Sequence, residues 1–365
     1  MLSNGGSIHT KRWVKALSER GLEICLFCLN NSDDSFYLAM DNVKVVNYHY
    51  QHHSSSFKES LLQRKEFFKV VKVVRQIITD FRPDILHAHY AVDYGSIGAA
   101  VGFHPYIISV WGSDVYGDPK LSFTSKLALR YKLRKADLIL STSHVMAEET
   151  AKYTSKDIEI TPFGVDTAMF APNAKEPRNT IVIGTVKTLA PVYGIDTLIR
   201  AFAIVVSRNP EVKTHLFIVG EGSQKNDLER LASELGIADR VVFKGRIANH
   251  ELPAIYNQFD VAVFLSQKES FGVAAVEAMA CECPVVTSDA EGFTEIVEND
   301  ETGFIVPKQN PDIAATAIYK LIANPALREK MGKKARQRVK SLYDWQKNVD
   351  QMIDIYARIT KNKIQ

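Results

Sequence analysis

Two glutamates, Glu269 and Glu277, stand eight residues apart in the sequence Lys268-Glu269-Ser270-Phe271-Gly272-Val273-Ala274-Ala275-Val276-Glu277-Ala278-Met279-Ala280. From Phe271 to Cys281, Glu277 is the only ionisable side chain apart from the terminal thiol. A helix that is apolar on nearly every side is buried, and a lone carboxylate inside it is costly unless something hydrogen-bonds it. Glu269 falls about two helical turns earlier, just before the loop that begins the helix. Phe271, Gly272 and Val273 then present backbone N–H groups at a helix N-terminus, where anions are favoured. Together these features fit an anion-binding site. The plain alternative is a surface Glu269 and a Glu277 paired to a structural Arg.

The elements that must position these residues are legible as alternating apolar runs and helical patterns. Leu22–Leu29, Val43–Tyr48, Asp84–Ala88, Tyr106–Val110, Leu138–Ser141 and Ile158–Thr161 read as strands, with Ser7–Arg20, Ser60–Asp80, Ser122–Lys135 and His144–Tyr153 as helices among them. After the polar stretch 171–179 the alternation resumes with Ile181–Val186, Thr214–Val219, Val241–Lys244, Val261–Leu265, Pro284–Thr287 and Gly303–Val306. That order predicts two doubly wound parallel sheets, one in residues 1–172 and one in residues 173–340. An amphipathic helix over about residues 341–362 follows, expected to pack back on a domain surface. Ligands of such sheets bind at the carboxyl ends of strands, so a cleft between the halves is the expected site.

Composition excludes several classes. The 365 residues are 46% hydrophobic and 24% charged, an ordinary globular profile. A net charge of +3 is too balanced to point to nucleic acid. Four cysteines make no disulfide scaffold and suit a reducing cytoplasm. Cys25 and Cys28 fall in one apolar strand and Cys281 and Cys283 lie far away in sequence, so they read as core residues rather than a zinc site. No Asp-x-Asp sequence offers a carboxylate pair to a metal, and Gly220-Glu221-Gly222 stops short of a dinucleotide-binding glycine motif.

Several blocks resemble family 4 (group 1) retaining glycosyltransferases. Glu269 to Glu277 resembles the family's E-x7-E signature. Phe217-Ile218-Val219-Gly220-Glu221-Gly222 is similar to its strand and glycine loop, and Val241 to Arg246 to its base-contacting turn. Pro284-Val285-Val286-Thr287-Ser288 and Thr302-Gly303-Phe304-Ile305-Val306 resemble later family blocks. In the first half, Asn4-Gly5-Gly6-Ser7-Ile8-His9 resembles the N-terminal glycine loop and Pro162-Phe163-Gly164-Val165-Asp166 a family turn. The resemblance covers nearly the whole chain and implies the α/β GT-B fold, two Rossmann-like domains with a nucleotide-sugar donor held mainly by the second.

Carried over by position, the resemblance implies that Glu277 binds the donor ribose and Glu269 the transferred sugar. The amides of Phe271, Gly272 and Val273 would meet the sugar hydroxyls or phosphates. Gly5, Gly6, Gly220, Gly222 and Arg246 complete the implied donor set. The family's diphosphate-binding Arg and Lys fall at Lys187 and Tyr193, so one cation of the pair is absent. Glu282 and Glu291 replace family glycines, and Trp111 stands where many relatives carry His. Asp114, at the end of a strand, is the expected catalytic partner of Glu269 and Lys187, with His87, His89 and Trp111 on the acceptor side. No metal and no cofactor are implied.

The expected activity is transfer of a sugar from a nucleotide-diphosphate sugar to a glycan or lipid-linked acceptor in cell-surface polysaccharide synthesis. Two alternatives stay open: a nucleotide-sugar 2-epimerase of the same fold, and a non-catalytic glycan- or nucleotide-sugar-binding member. Basic residues cluster between Phe57 and Ile78 (Lys58, Arg64, Lys65, Lys69, Lys72, Arg75) and between Ser122 and Lys135 (Lys126, Arg130, Lys132, Arg134, Lys135). Such helices suit either an anionic membrane surface, reached from the cytoplasm, or plain solvated lysines over a sheet. Finally, Gly5 and Gly6 arrive with only Met1 to Asn4 before them. The first domain is therefore expected to lack its usual N-terminal strand, through a clipped start or a real truncation, leaving neighbouring strands unpaired.

Overall fold

The computed structural model describes residues 1–30, 34–49, 57–117, 122–173 and 178–361, without the side chains of residues 34 and 57–64. Residues 174–177 of the expected linker, and the side chains of Lys58 and Arg64, lie outside the described residues. The chain forms two compact units, Met1–Pro162 with Asn348–Gln365, and Phe163–Lys347.

The first unit runs α1 (Ile8–Glu19), β1 (Ile24–Cys28), β2 (Val43–Asn47), α2 (Phe57–Phe81), β3 (Leu86–His89), α3 (Asp93–Val101), β4 (Tyr106–Val110), α4 (Ser113–Tyr116), α5 (Phe123–Lys135), β5 (Leu138–Ser141), α6 (His144–Ala151) and β6 (Ile158–Ile160). β1 pairs with β2, and β3-β4-β5-β6 form a ladder; every pairing is parallel. Leu26, Phe27, Leu86, Ala88, Ile107, Ile108 and Val110 are all buried, as expected of strands covered on both faces. Ser122 caps α5 by accepting from the Ser125 N–H, and Ser143 caps α6 through Met146.

The expected gap at the first strand is not left empty. Leu2 bridges Phe27 of β1 and Ala88 of β3, both in parallel sense. Leu2 N–H donates to His87 O at 2.8 Å and His89 N–H to Leu2 O at 3.0 Å, while Phe27 N–H donates to Met1 O at 2.9 Å. A three-residue stub thus joins the two ladders. A cavity of about 540 Å³ lies beside it, lined by Leu17, Cys25, Val74, Ile78 and Tyr356 among others.

The second unit runs β7 (Ile181–Val186), α7 (Ile195–Arg208), β8 (Thr214–Val219), α8 (Lys225–Glu234), β9 (Val241–Gly245), α9 (Leu252–Tyr256), β10 (Val261–Phe264), α10 (Val273–Ala280), β11 (Val285–Ser288), α11 (Glu291–Ile296), β12 (Gly303–Val306), α12 (Pro311–Ala323) and α13 (Pro325–Leu342). Its parallel sheet has the order β12-β11-β10-β7-β8-β9. Ile183, Phe202, Leu216, Ile218, Val261, Val263 and Ile318 build its core. α12 and α13 each start with Pro after an Asn that caps the helix through its side chain.

Two boundaries differ from expectation. The units part after Pro162 rather than after residue 172. Val165 pairs with Asp344, and Phe163 packs on Phe271 at 6.3 Å, which ties this segment to the second unit. The C-terminal helix expected over 341–362 is α14 (Trp345–Lys361), which starts a few residues later because α13 runs on to Leu342. Asp344 breaks the run by accepting from the N–H of Gln346 at 3.0 Å, as an N-cap does. Beyond Lys347, α14 belongs to the first unit, with Val349, Met352 and Ile355 buried and Arg358 paired to Glu159.

Candidate donor site and its surroundings

In the second unit the expected donor residues gather at the carboxyl ends of β7 to β10. Lys187 follows β7 and Glu269 lies in the loop between β10 and α10. Lys187 Nζ donates to Glu269 Oε2 at 2.5 Å, and both side chains are mostly shielded, at 15% and 12% exposure. Lys187 Nζ also sits 4.6 Å from the centre of the Tyr193 ring. The residue that replaces the second family cation therefore embraces the first one through its π face. Ser266 Oγ lies 3.5 Å from the same Glu269 oxygen.

α10 starts at Gly272 with φ 99°, a left-handed conformation that glycine adopts without strain. A Cβ there would lie 2.8 Å from the Phe293 ring, so space and backbone both select glycine. Gly292 N–H donates to Glu269 O at 2.9 Å, and a Cβ at Gly292 would come within 2.6 Å of Phe271 N. α11 thus locks the 269–271 loop in place. Among the described residues no acceptor is found for the N–H groups of Phe271, Gly272 and Val273. These three donors at a helix start form an anion-binding arrangement. Phe271 itself is buried, edge-on to Tyr343 at 5.4 Å, so its side chain is structural and its amide is what remains for a ligand.

Glu277 is buried, as its apolar helix predicted, at 6% exposure. One of its carboxylate oxygens accepts from Tyr256 Oη at 2.8 Å. Burial, then the Glu277 charge, pushes the Tyr256 hydroxyl well above its ordinary pKa and keeps it a donor. Sequence reasoning missed Tyr256, because nothing local marks a tyrosine at the end of α9 as a carboxylate partner.

The glycine loops divide in role. A Cβ at Gly220 would lie 2.0 Å from Lys187 O, and one at Gly222 2.3 Å from Leu189 O. Gly220 N–H is taken by Gly245 O at 2.8 Å. Gly220 therefore contributes close approach of two loops, which sets the Lys187 backbone, rather than an amide for a donor. Arg246 is exposed directly after β9.

In the first unit, Gly5 and Gly6 precede α1. Gly6 N–H is held by Asn4 Oδ1 at 3.0 Å, and Gly5 O accepts from Tyr37 Oη at 2.6 Å. Asp114 differs from its expected catalytic role. It is fully buried and its carboxylate accepts from the N–H groups of Ala91 at 2.8 Å and Gly112 at 2.7 Å, and from Trp111 at 3.2 Å. Burial raises its pKa against the pull of those amides. It positions the turn that carries Trp111 and touches no open surface.

His87 likewise leaves the acceptor side. Its Nδ1 meets Tyr356 Oη at 2.6 Å and its Nε2 meets Ser109 Oγ at 2.7 Å, so both ring nitrogens are used. Burial, then the Met1 ammonium, lowers its pKa to about 3. His89 is buried with Nδ1 3.2 Å from Ser3 Oγ, and its ring lies 4.6 Å from Trp111. His9 also meets Trp111, ring centres 5.9 Å apart, its pKa lowered to about 4 by burial and then by Arg12. Trp111 is half-buried. All four cysteines are buried and none is in a disulfide, in keeping with their reading as core residues.

Residues 167–338 match the family described as Glycosyl transferases group 1, and residues 1–143 match Glycosyl transferase 4-like. The chain is similar to the D-inositol 3-phosphate glycosyltransferase of Corynebacterium jeikeium, 30% identical over 305 residues, 76% of this chain and 72% of that protein. It is 31% identical over 246 residues to the protein of the same description from Nocardiopsis dassonvillei, covering 62% of this chain but only 57% of that relative's length. In fold it is similar to sucrose-phosphate synthase of Thermosynechococcus elongatus, with a TM-score of 0.83 at 23% identity, covering 99% and 98% of the two chains.

Proposed function

Because the chain belongs to the group 1 glycosyl transferases, with the GT-B fold, we propose that it transfers a sugar from a nucleotide-diphosphate sugar to a hydroxyl of a glycan or lipid-linked acceptor. In this reading transfer retains the anomeric configuration and serves cell-surface polysaccharide synthesis in the cytoplasm. The observation that carries it is the shielded Lys187 ammonium beside the loop whose Phe271, Gly272 and Val273 amides open α10. A cation and a helix N-terminus at one loop stabilise the diphosphate as negative charge develops on it.

The acceptor oxygen forms its bond to the anomeric carbon on the face from which the diphosphate departs. The electron pair of the broken C–O bond goes to the leaving phosphate oxygen, which also takes the hydroxyl proton. Glu269 orients the transferred sugar and Glu277, held by Tyr256, receives the ribose hydroxyls. Charge stabilisation rests on Lys187 and the amides, so turnover is expected to persist in a metal chelator.

A thermal-shift screen of UDP-, GDP- and ADP-sugars tests the donor, since a ligand that binds only the folded chain stabilises it by mass action. One nucleotide series should raise the midpoint by several degrees, and product analysis with an acceptor should show the retained anomer. No shift with any series sinks the proposal. Conversion of the donor to its epimer without acceptor replaces transfer by epimerisation.

A further inference from the structure

In the first unit, α2 and α5 both pack on α3, and α5 turns an unusual face outward. Leu129 and Leu133 anchor α5 to the core at 2% and 0% exposure. On the opposite side Phe123, Leu127 and Tyr131, spaced four residues apart, form a single stripe at 73%, 46% and 46% exposure. An ordinary solvated helix places polar residues there. Lys126, Arg130 and Arg134 repeat the same spacing along one edge of the stripe, and Lys135 lies on its other side, 5.7 Å from the Tyr131 ring. The helix carries no Asp or Glu, and no ion pair to these four cations is found among the described residues. On α2, Phe68 is likewise exposed, at 69%, between the exposed Lys65 and Lys69.

We propose that this face of α5 docks the first unit onto an anionic lipid surface. Phe123, Leu127 and Tyr131 enter the headgroup boundary while Lys126, Arg130 and Arg134 meet the lipid phosphates. Charge complementarity selects this occupant. A second copy of the chain would bring the same cations face to face, and a neutral apolar partner would leave them unpaired. Phenylalanine and leucine bury in acyl chains and tyrosine bridges to the polar layer, so the side-chain types suit an interface with one wet side. No helix among the described residues is long and apolar enough to cross a membrane, so the contact is peripheral. The inference stands on this surface alone and does not depend on the transfer reaction.

Co-sedimentation of the full chain with phosphatidylcholine vesicles, with and without phosphatidylglycerol, tests it. Binding is expected only to the anionic vesicles and should weaken as salt rises. The variant Phe123→Ser, Leu127→Ser, Tyr131→Ser and the variant Lys126→Gln, Arg130→Gln, Arg134→Gln should each lose at least about tenfold in bound fraction. Both should keep the wild-type unfolding midpoint, because every substituted side chain is exposed. Equal binding to neutral vesicles, no binding to either kind, or unchanged binding by either variant overturns the proposal. So does a dimer of the wild type that the serine variant converts to monomer without any vesicle binding.

Discussion

Lys187 Nζ and Glu269 Oε2 meet at 2.5 Å across 82 residues of sequence, with the Tyr193 ring 4.6 Å from the same nitrogen. The free protein thus satisfies this cation internally. In the proposed reaction, donor binding exchanges this carboxylate for a phosphate oxygen on Lys187.

That exchange predicts opposite effects of one substitution. Glu269→Gln removes the competing charge and should tighten binding of the free nucleoside diphosphate product several-fold. The same change should lower turnover at least about tenfold, because the carboxylate no longer orients the sugar. Lys187→Met should weaken diphosphate binding and reduce turnover roughly 100-fold. Calorimetric titration with nucleoside diphosphate and steady-state kinetics separate the two; weaker diphosphate binding in Glu269→Gln contradicts the exchange.

Acid should destabilise the first unit through its buried histidines. His87 and His9 have pKa values lowered to about 3 and about 4, and His89 is lowered well below its ordinary value. A histidine depressed in the folded state binds its proton only on unfolding, so stability falls as pH drops below about 6.5. Each such residue contributes a slope of roughly 1.4 kcal/mol per pH unit until its folded pKa is reached. Urea unfolding between about pH 7.5 and about pH 5 should show this loss. His87→Gln should start less stable, having lost its contacts to Tyr356 and Ser109, yet show a shallower slope by about one proton. An unchanged slope would mean His87 is not neutral in the folded protein.

A third prediction concerns the turn after α10. Glu282 has φ 57°, in the left-handed region, and Gly332 of α13 packs so closely that a Cβ there would lie 2.1 Å from Glu282 O. The backbone cannot relax without moving α13. Glu282→Gly should therefore stabilise the protein by about 1 kcal/mol, raising the unfolding midpoint by about 2 °C. A lower midpoint would show that the glutamate side chain contributes more than its backbone strain removes.

The strands and most helices were legible because their signals are local. Tyr106–Val110, Leu138–Ser141, Ile181–Val186, Thr214–Val219 and Gly303–Val306 stand where their apolar runs predicted. The burial of Glu277 was also legible, since every neighbour on its helix is apolar. What surrounds each of these residues was decided by distant parts of the chain. Tyr256 reaches Glu277, Tyr193 covers Lys187, and Tyr356 of the last helix takes up His87.

By itself, the amino-acid sequence determined the alternation of strand and helix, the glycine-led start of α10 and the two carboxylates around it. Periodicity and residue type act over a few turns of chain, and that range suffices for such features. Only the tertiary structure decided which polar groups remain for a ligand. Asp114, His87 and the Gly220 amide are consumed by partners, while among the described residues the amides of Phe271, Gly272 and Val273 have no acceptor. A hydrogen-bonding group is either satisfied inside the fold or left to bind, and that outcome depends on contacts that no stretch of sequence contains.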